Sequence, residues 1–327
     1  MTTPDPTLTA DVAIVGGGAA GLATAIALAR SLRRVVVIDA GSPRNRTSAH
    51  AHNVLGHEGI NPLDLVAKGR KEAEGYGVTF IDAAVTGAQS TPAEVARPHR
   101  FTLDTSAGVQ VSAQHVVIAT GITDELPDIP GLAERWGDTV LHCPYCHGYE
   151  VRGQSIGIIG TTALSYHQAM MFSQLSDRVT FIRHAAPEPT AEQAAMLDAL
   201  GITLVDAQVE AVHRTEAGTE VTLRSVASDD TTSALAASTI TLEALVVGPF
   251  FRANGEVFTQ LGGTVVEDPS GMGSSITADP TGRTDIPGVW AVGNVADMSA
   301  MLGASAASGV RAGAMINYEL IQSALAG

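Results

Sequence analysis

The segment from Asp11 to Gly21, reading Asp-Val-Ala-Ile-Val-Gly-Gly-Gly-Ala-Ala-Gly, constrains this chain more than any other. A short apolar run fit for a buried strand enters a glycine turn, and an alanine-rich stretch with helical character leaves it and runs to about Ser31. The glycines serve distinct physical ends, Gly16 making the tight turn, Gly18 leaving room beside the backbone, and Gly21 allowing close packing of helix on sheet. The helix start then offers unpaired N–H groups and the positive end of a dipole, which together suit a pyrophosphate. Glycine clusters also occur in ordinary turns, so the flanks decide the matter. The next strand, Arg34 to Asp39, ends in an acid 18 positions after Gly21, placed to accept from ribose hydroxyls. The unit therefore reads as dinucleotide-binding, and FAD and NAD use the same turn.

The pattern repeats. Ser155 to Gly160 reads as a second buried strand, Ser165 to Leu175 as a helix, and Arg178 to Ile182 as the returning strand. Near the end, Gly288 to Asn294 reads as one more strand, followed by a small-residue helix from about Gly303 to Leu320. Between the two units, Asp124 to Gly131 holds two prolines and several turn formers, as a crossing between domains would. With 327 residues, 45% of them hydrophobic, the chain can fill two cores. The predicted fold class is α/β, with two Rossmann-like domains, the second inserted into the first. The expected limits are 1–120 and 246–327 for the discontinuous domain and 121–245 for the insert.

A formal charge of -15 and the lack of any basic run argue against a nucleic-acid partner. Met1 to Ala10 has neither a basic nor an apolar targeting region, and no apolar stretch reaches membrane-spanning length, so a soluble, cytoplasmic protein is expected. The two cysteines stand three residues apart in His142-Cys143-Pro144-Tyr145-Cys146-His147-Gly148. Zinc would need two further ligands, and the flanking histidines lie too close in sequence to complete a tetrahedron, so no metal is expected. Inert burial of the pair is a second possibility. Thiol–disulfide exchange is the third, with a nearby histidine moving the proton of a thiol. By sequence distance His142 and His147 have equal claims.

The glycine-rich opening, Ala119-Thr120-Gly121, the cysteine segment and Gly293-Asn294 together resemble the low-molecular-weight thioredoxin reductase family, nearly end to end. The resemblance implies an FAD domain interrupted by an NADPH domain that carries the cysteines, assembled as a homodimer. It implies that Cys146 faces the flavin and Cys143 exchanges with substrate. It also implies that Gly16, Gly18, Gly21, Asp39, Asn53, Thr120, Gly121, Gly293 and Asn294 contact FAD. The residue after the second cysteine is usually an aspartate acting as acid and base; here His147 stands there. Asn294 replaces an aspartate, and Met301-Leu302 replaces an arginine-glutamine pair, so the flavin edge is lined differently.

The insert departs further. Where the family has a second GxGxxA turn, this chain has Gly160-Thr161-Thr162-Ala163-Leu164-Ser165, with Thr162 at the central glycine. Where paired arginines clasp the 2′-phosphate, Arg183-His184 leaves at most a partial clasp, so NAD(P)H binding is in doubt. These features, with Tyr166-His167-Gln168-Ala169, are similar to the holomycin- and gliotoxin-type dithiol oxidases. That branch implies oxidation of a small-molecule dithiol through Cys143 and Cys146, with O2 as acceptor and H2O2 as product. One alternative is an NAD(P)H-dependent reductase of a thioredoxin-like protein. Another is a flavoprotein kept for redox sensing or binding without turnover.

Overall fold

Strands buried on both faces must be apolar along their whole length, and only helices packed above and below can cover them. Val12 to Val15, Val35 to Ile38, Val116 to Ile118 and Val289 to Ala291 meet that condition, each residue under a tenth exposed. In the computed structural model, which describes residues 7–91, 100–216, 218–225 and 237–326, they form the centre of one parallel sheet. Its order is Thr79–Asp82, Val35–Asp39, Thr7–Val15, Gln110–Ile118, with Val289–Ala291 also paired to Gln110–Ile118. Val12 stands between Val35 and His115, and Val289 beside Val116. Two antiparallel strands, Phe101–Thr105 and Val85–Ser90, extend the sheet.

The first strand begins at Thr7, four residues before the expected Asp11, and the segment before it lies outside the described residues. The last helix runs over Leu302–Ala326, past the expected Leu320. It packs against Ala19–Ala29 through small residues. A Cβ at Gly309 would stand 2.2 Å from the Ala20 carbonyl oxygen, and one at Gly313 would stand 2.9 Å from the Ala27 Cβ. Backbones this close leave room for glycine alone.

The second parallel sheet has the order Thr203–Val205, Val179–Ile182, Ile156–Ile159, Ala244–Val247, Val140–Leu141. Beside it in the same unit lies a three-stranded antiparallel sheet, Ala207–Thr215, Gly218–Ser225 and Ala237–Leu242, which the βαβ pattern does not predict. Its signal is alternation: Val209, Val212, Val221 and Leu223 are buried while their neighbours face outward.

The chain divides into two compact units. One comprises the chain up to Arg46, Val54–Thr123 and the chain from Phe251 onward; the other comprises Thr47–Asn53 and Asp124–Phe250. The stretch 1–120, expected to lie in one domain throughout, is thus broken at Thr47–Asn53. The physical reason is local. The Asn53 side-chain amide donates to the Tyr145 carbonyl at 2.6 Å, and Thr47 packs so tightly on Gly137 that a Cβ there would stand 2.7 Å from its hydroxyl.

Candidate active site

In the first unit the glycine turn forms a cradle. Gly16 has φ of +105°, which disfavours any side chain, and a Cβ there would strike the Ala119 carbonyl oxygen at 2.4 Å. A Cβ on Gly21 would stand 1.9 Å from the Gly16 oxygen. Gly18 is different: it precedes the helix Ala19–Ala29, and its Cβ position meets no protein atom within 4 Å. That open face beside free helical amides is what a pyrophosphate needs. Asp39 packs its carboxylate against Gly17, where a Cβ would lie 2.8 Å away. The residues present therefore fit the dinucleotide that the turn implies.

The other expected flavin contacts carry structural duties as well. The Thr120 hydroxyl donates to the Asn254 carbonyl at 2.6 Å, and the Asn254 amide donates back to the Thr120 carbonyl at 3.0 Å. Gly121, with φ of +67°, accepts from the Asn254 N–H, so Asn254 holds this turn from a distant part of the chain. Gly293, with φ of +69°, donates its N–H to the Ser308 hydroxyl at 3.0 Å. Asn294 directs its NH2 to the carbonyls of Asp297, Met298 and Ala300, at 3.1, 3.3 and 2.9 Å. An aspartate could not donate there, which accounts for the amide at this position and leaves Oδ1 as its acceptor. Asn53 groups with the second unit, where its side-chain amide meets the cysteine turn.

The cysteine pair sits on one turn of helix, Pro144–His147, with Cys143 as N-cap. Proline at the first helical position needs no N–H partner there. The Cys143 carbonyl accepts from the N–H of Cys146 and of His147, which closes the turn. Both cysteines are half-buried. Gly148 follows because nothing else fits: a Cβ would stand 2.2 Å from the Pro144 oxygen and 2.4 Å from Leu175 Cδ1.

Burial holds the His147 imidazole below its ordinary pKa, opposed by the Glu150 charge and assisted by His52. The ring is consequently neutral at pH 7 and able to accept a proton. His142 Nδ1 approaches the Val247 carbonyl at 3.2 Å, and the Gln168 amide donates to the His142 carbonyl at 2.8 Å. The Gln168 amide nitrogen also lies 3.2 Å from His142 Nδ1, so this nitrogen faces both a carbonyl and an amide. His147 is thus a competent base beside the pair.

The second glycine-type turn has closed on itself. The Ser165 hydroxyl accepts from the N–H of Thr161 at 3.0 Å and of Thr162 at 3.4 Å. The Thr162 hydroxyl accepts from the Leu164 N–H at 3.2 Å, and the Thr161 hydroxyl donates to the Gly248 carbonyl at 3.1 Å. The amides that would greet a pyrophosphate already have partners within the chain. Arg183 is engaged by Asp206, Nε to Oδ1 at 2.7 Å. His184, with φ of +46°, accepts from the Val209 N–H at 3.1 Å, and burial lowers its pKa. A nicotinamide dinucleotide bound at this turn would have to displace these hydrogen bonds. Among the described residues no group of three or more His, Cys, Asp or Glu is placed to hold a metal ion, and no helix is long and apolar enough to cross a membrane.

A dinucleotide cradle in one α/β unit and a Cys-x-x-Cys turn with an adjacent base in another are the parts that a disulfide oxidoreductase requires. The comparisons with known proteins agree. The chain belongs to the pyridine nucleotide-disulphide oxidoreductase family, whose model matches residues 10–322. It is 35% identical to thioredoxin reductase tcpT of Claviceps purpurea over 183 residues, 52% of this chain and 54% of that protein. The match thus spans about half of that relative's length. The crystal structure of HlmI superposes with a TM-score of 0.85 at 36% identity, covering 97% of this chain and 94% of HlmI. An oxidoreductase from Agrobacterium tumefaciens gives 0.85 at 32% identity, covering 96% and 99%. The protein is an oxidoreductase of the thioredoxin reductase-like type with FAD as its cofactor.

Proposed function

We propose that the enzyme oxidises a small-molecule dithiol to its disulfide through Cys143 and Cys146, with O2 as final acceptor and H2O2 as product. The turn at Thr161 to Ser165 supports this reading, because its amides are bonded within the chain where a nicotinamide dinucleotide would need them, which favours the substrate as electron donor. In the active, oxidised enzyme a substrate thiolate attacks the Cys143 sulfur, and the second substrate thiol resolves the mixed disulfide. His147, neutral and adjacent, takes the proton of the incoming thiol. Gly16, Gly18, Gly21 and Asp39 would hold FAD, with Thr120, Gly121, Gly293 and Asn294 shaping the site. Bound FAD supplies the two-electron acceptor.

Anaerobic titration of the yellow protein with NADPH, NADH and dithiothreitol tests the reading. Bleaching by dithiol alone, with recovery and peroxide on admitting air, supports it. Stoichiometric bleaching by NADPH replaces it with a second reading, favoured by the names of relatives such as tcpT: an NAD(P)H-dependent reductase of a thioredoxin-like protein. Cys143→Ser is expected to abolish dithiol turnover while FAD stays bound. A homodimer is the proposed assembly, checked by light scattering.

A further inference from the structure

Closing a disulfide in a dithiol releases two protons, and one imidazole holds only one. In the reductive half-reaction two substrate S–H bonds break, one substrate S–S bond forms, and the Cys143–Cys146 bond breaks. The electron pair remains on the two cysteine thiolates, and both protons must go to bases of the protein or to solvent. His147 accounts for the first.

The segment Thr47–Asn53, drawn onto this unit by the Asn53 contact with Tyr145, brings a second imidazole to the same place. The rings of His52 and His147 stand edge to face, centroids 6.4 Å apart at 88°. At that separation one water can bridge the two rings and carry a proton between them. His52 Nε2 lies 3.4 Å from the Glu150 carboxylate, three residues beyond His147. His50, on the same segment as His52, faces it with centroids 6.4 Å apart at 48°. His147, Glu150 and His50 are thus titratable groups that face His52.

We propose that His52, paired with Glu150, is the second proton acceptor of dithiol oxidation: it relieves His147 of the first proton, so that His147 is neutral again when the second thiol must ionise. Two imidazolium ions side by side repel, and the Glu150 charge, which acts on both, offsets that repulsion. The opposed influences of Glu150 and His52 on His147 accord with this arrangement. The proposal rests on the dithiol oxidase reading, and His52 acts as a positioning and proton-storing residue.

Its test is stopped-flow anaerobic reduction of the holoenzyme by saturating dithiothreitol across pH 5 to 9. In wild type the acid limb should fall about a hundredfold per pH unit, because two bases must be unprotonated. In His52→Gln it should fall about tenfold per unit, with partial rescue by added imidazole. Glu150→Gln, which keeps both rings, should move the acid limb to lower pH and serves as the deciding variant if His52→Gln loses its flavin. Limbs of unchanged steepness and position in the variants overturn the proposal. A wild type that dithiothreitol does not reduce at all sinks instead the function on which it rests.

Discussion

The buried histidine of the first unit gives a quantitative test of the fold. His115 lies in the strand Gln110–Ile118, 8% exposed, and its Nδ1 accepts from Trp290 Nε1 at 3.3 Å. Burial, with the Arg100 charge adding to it, pushes its pKa down from 6.5 to about 4. Glu319 comes within 3.8 Å of the same nitrogen but is held by Arg283 at 2.7 Å, so its charge is already answered. With the imidazole neutral, that approach is no ion pair at pH 7. The folded-state pKa lies below the unfolded one, so between these values the unfolded chain binds more protons. The contribution is complete above about pH 6.5 and is lost as pH falls toward 4. At about 1.4 kcal/mol per pKa unit, the loss across that window is at most about 3 kcal/mol.

His115→Asn keeps an acceptor near the Nδ1 position and removes the titration. In a Trp136→Phe background the remaining tryptophan, Trp290, reports this unit by fluorescence during denaturation. The stability difference between the parent and the His115→Asn variant should shift by about 3 kcal/mol from pH 7 to pH 4, in favour of the variant at low pH. His147 and His184, also depressed by burial, are common to both proteins and cancel. Parallel stability curves would refute the reasoning.

Three further outcomes follow from close approaches. Gly148→Ala should displace the cysteine turn by driving a Cβ into the Pro144 oxygen and Leu175; dithiol turnover should fall about a hundredfold with FAD still bound. A Cβ at Gly18 meets no protein atom within 4 Å, so Gly18→Ala should fold with unchanged circular dichroism yet hold FAD more weakly, read as loss of the visible flavin spectrum on dilution. Gly309→Ala, forced against the Ala20 carbonyl and the Thr24 hydroxyl, should destabilise the first unit by about 1–3 kcal/mol, read from chemical denaturation.

Much of the site was legible because its determinants are local. Gly16, Gly18 and Gly21 act within one turn, and Cys143 and Cys146 within one turn of helix, so their spacing along the chain already states their geometry. Thr162 announced a damaged second turn, but the sequence did not reveal that Ser165 would satisfy the amides in its place. Asn254 was missed for a related reason: it pairs with Thr120 from beyond the whole intervening insert, and nothing in a single asparagine marks such a partner.

The sequence by itself determined the α/β class, the glycine turn between strand and helix and the placing of both cysteines on one turn, since strand-turn-helix periodicity and a Cys-x-x-Cys spacing are properties of neighbouring residues. Only the tertiary structure decided that Thr47–Asn53 leaves the first unit to lie against the cysteine turn, setting His52 beside His147 and Glu150. Long-range packing of that kind depends on the shapes of surfaces that exist only after both partners have folded. Periodicity does not encode them.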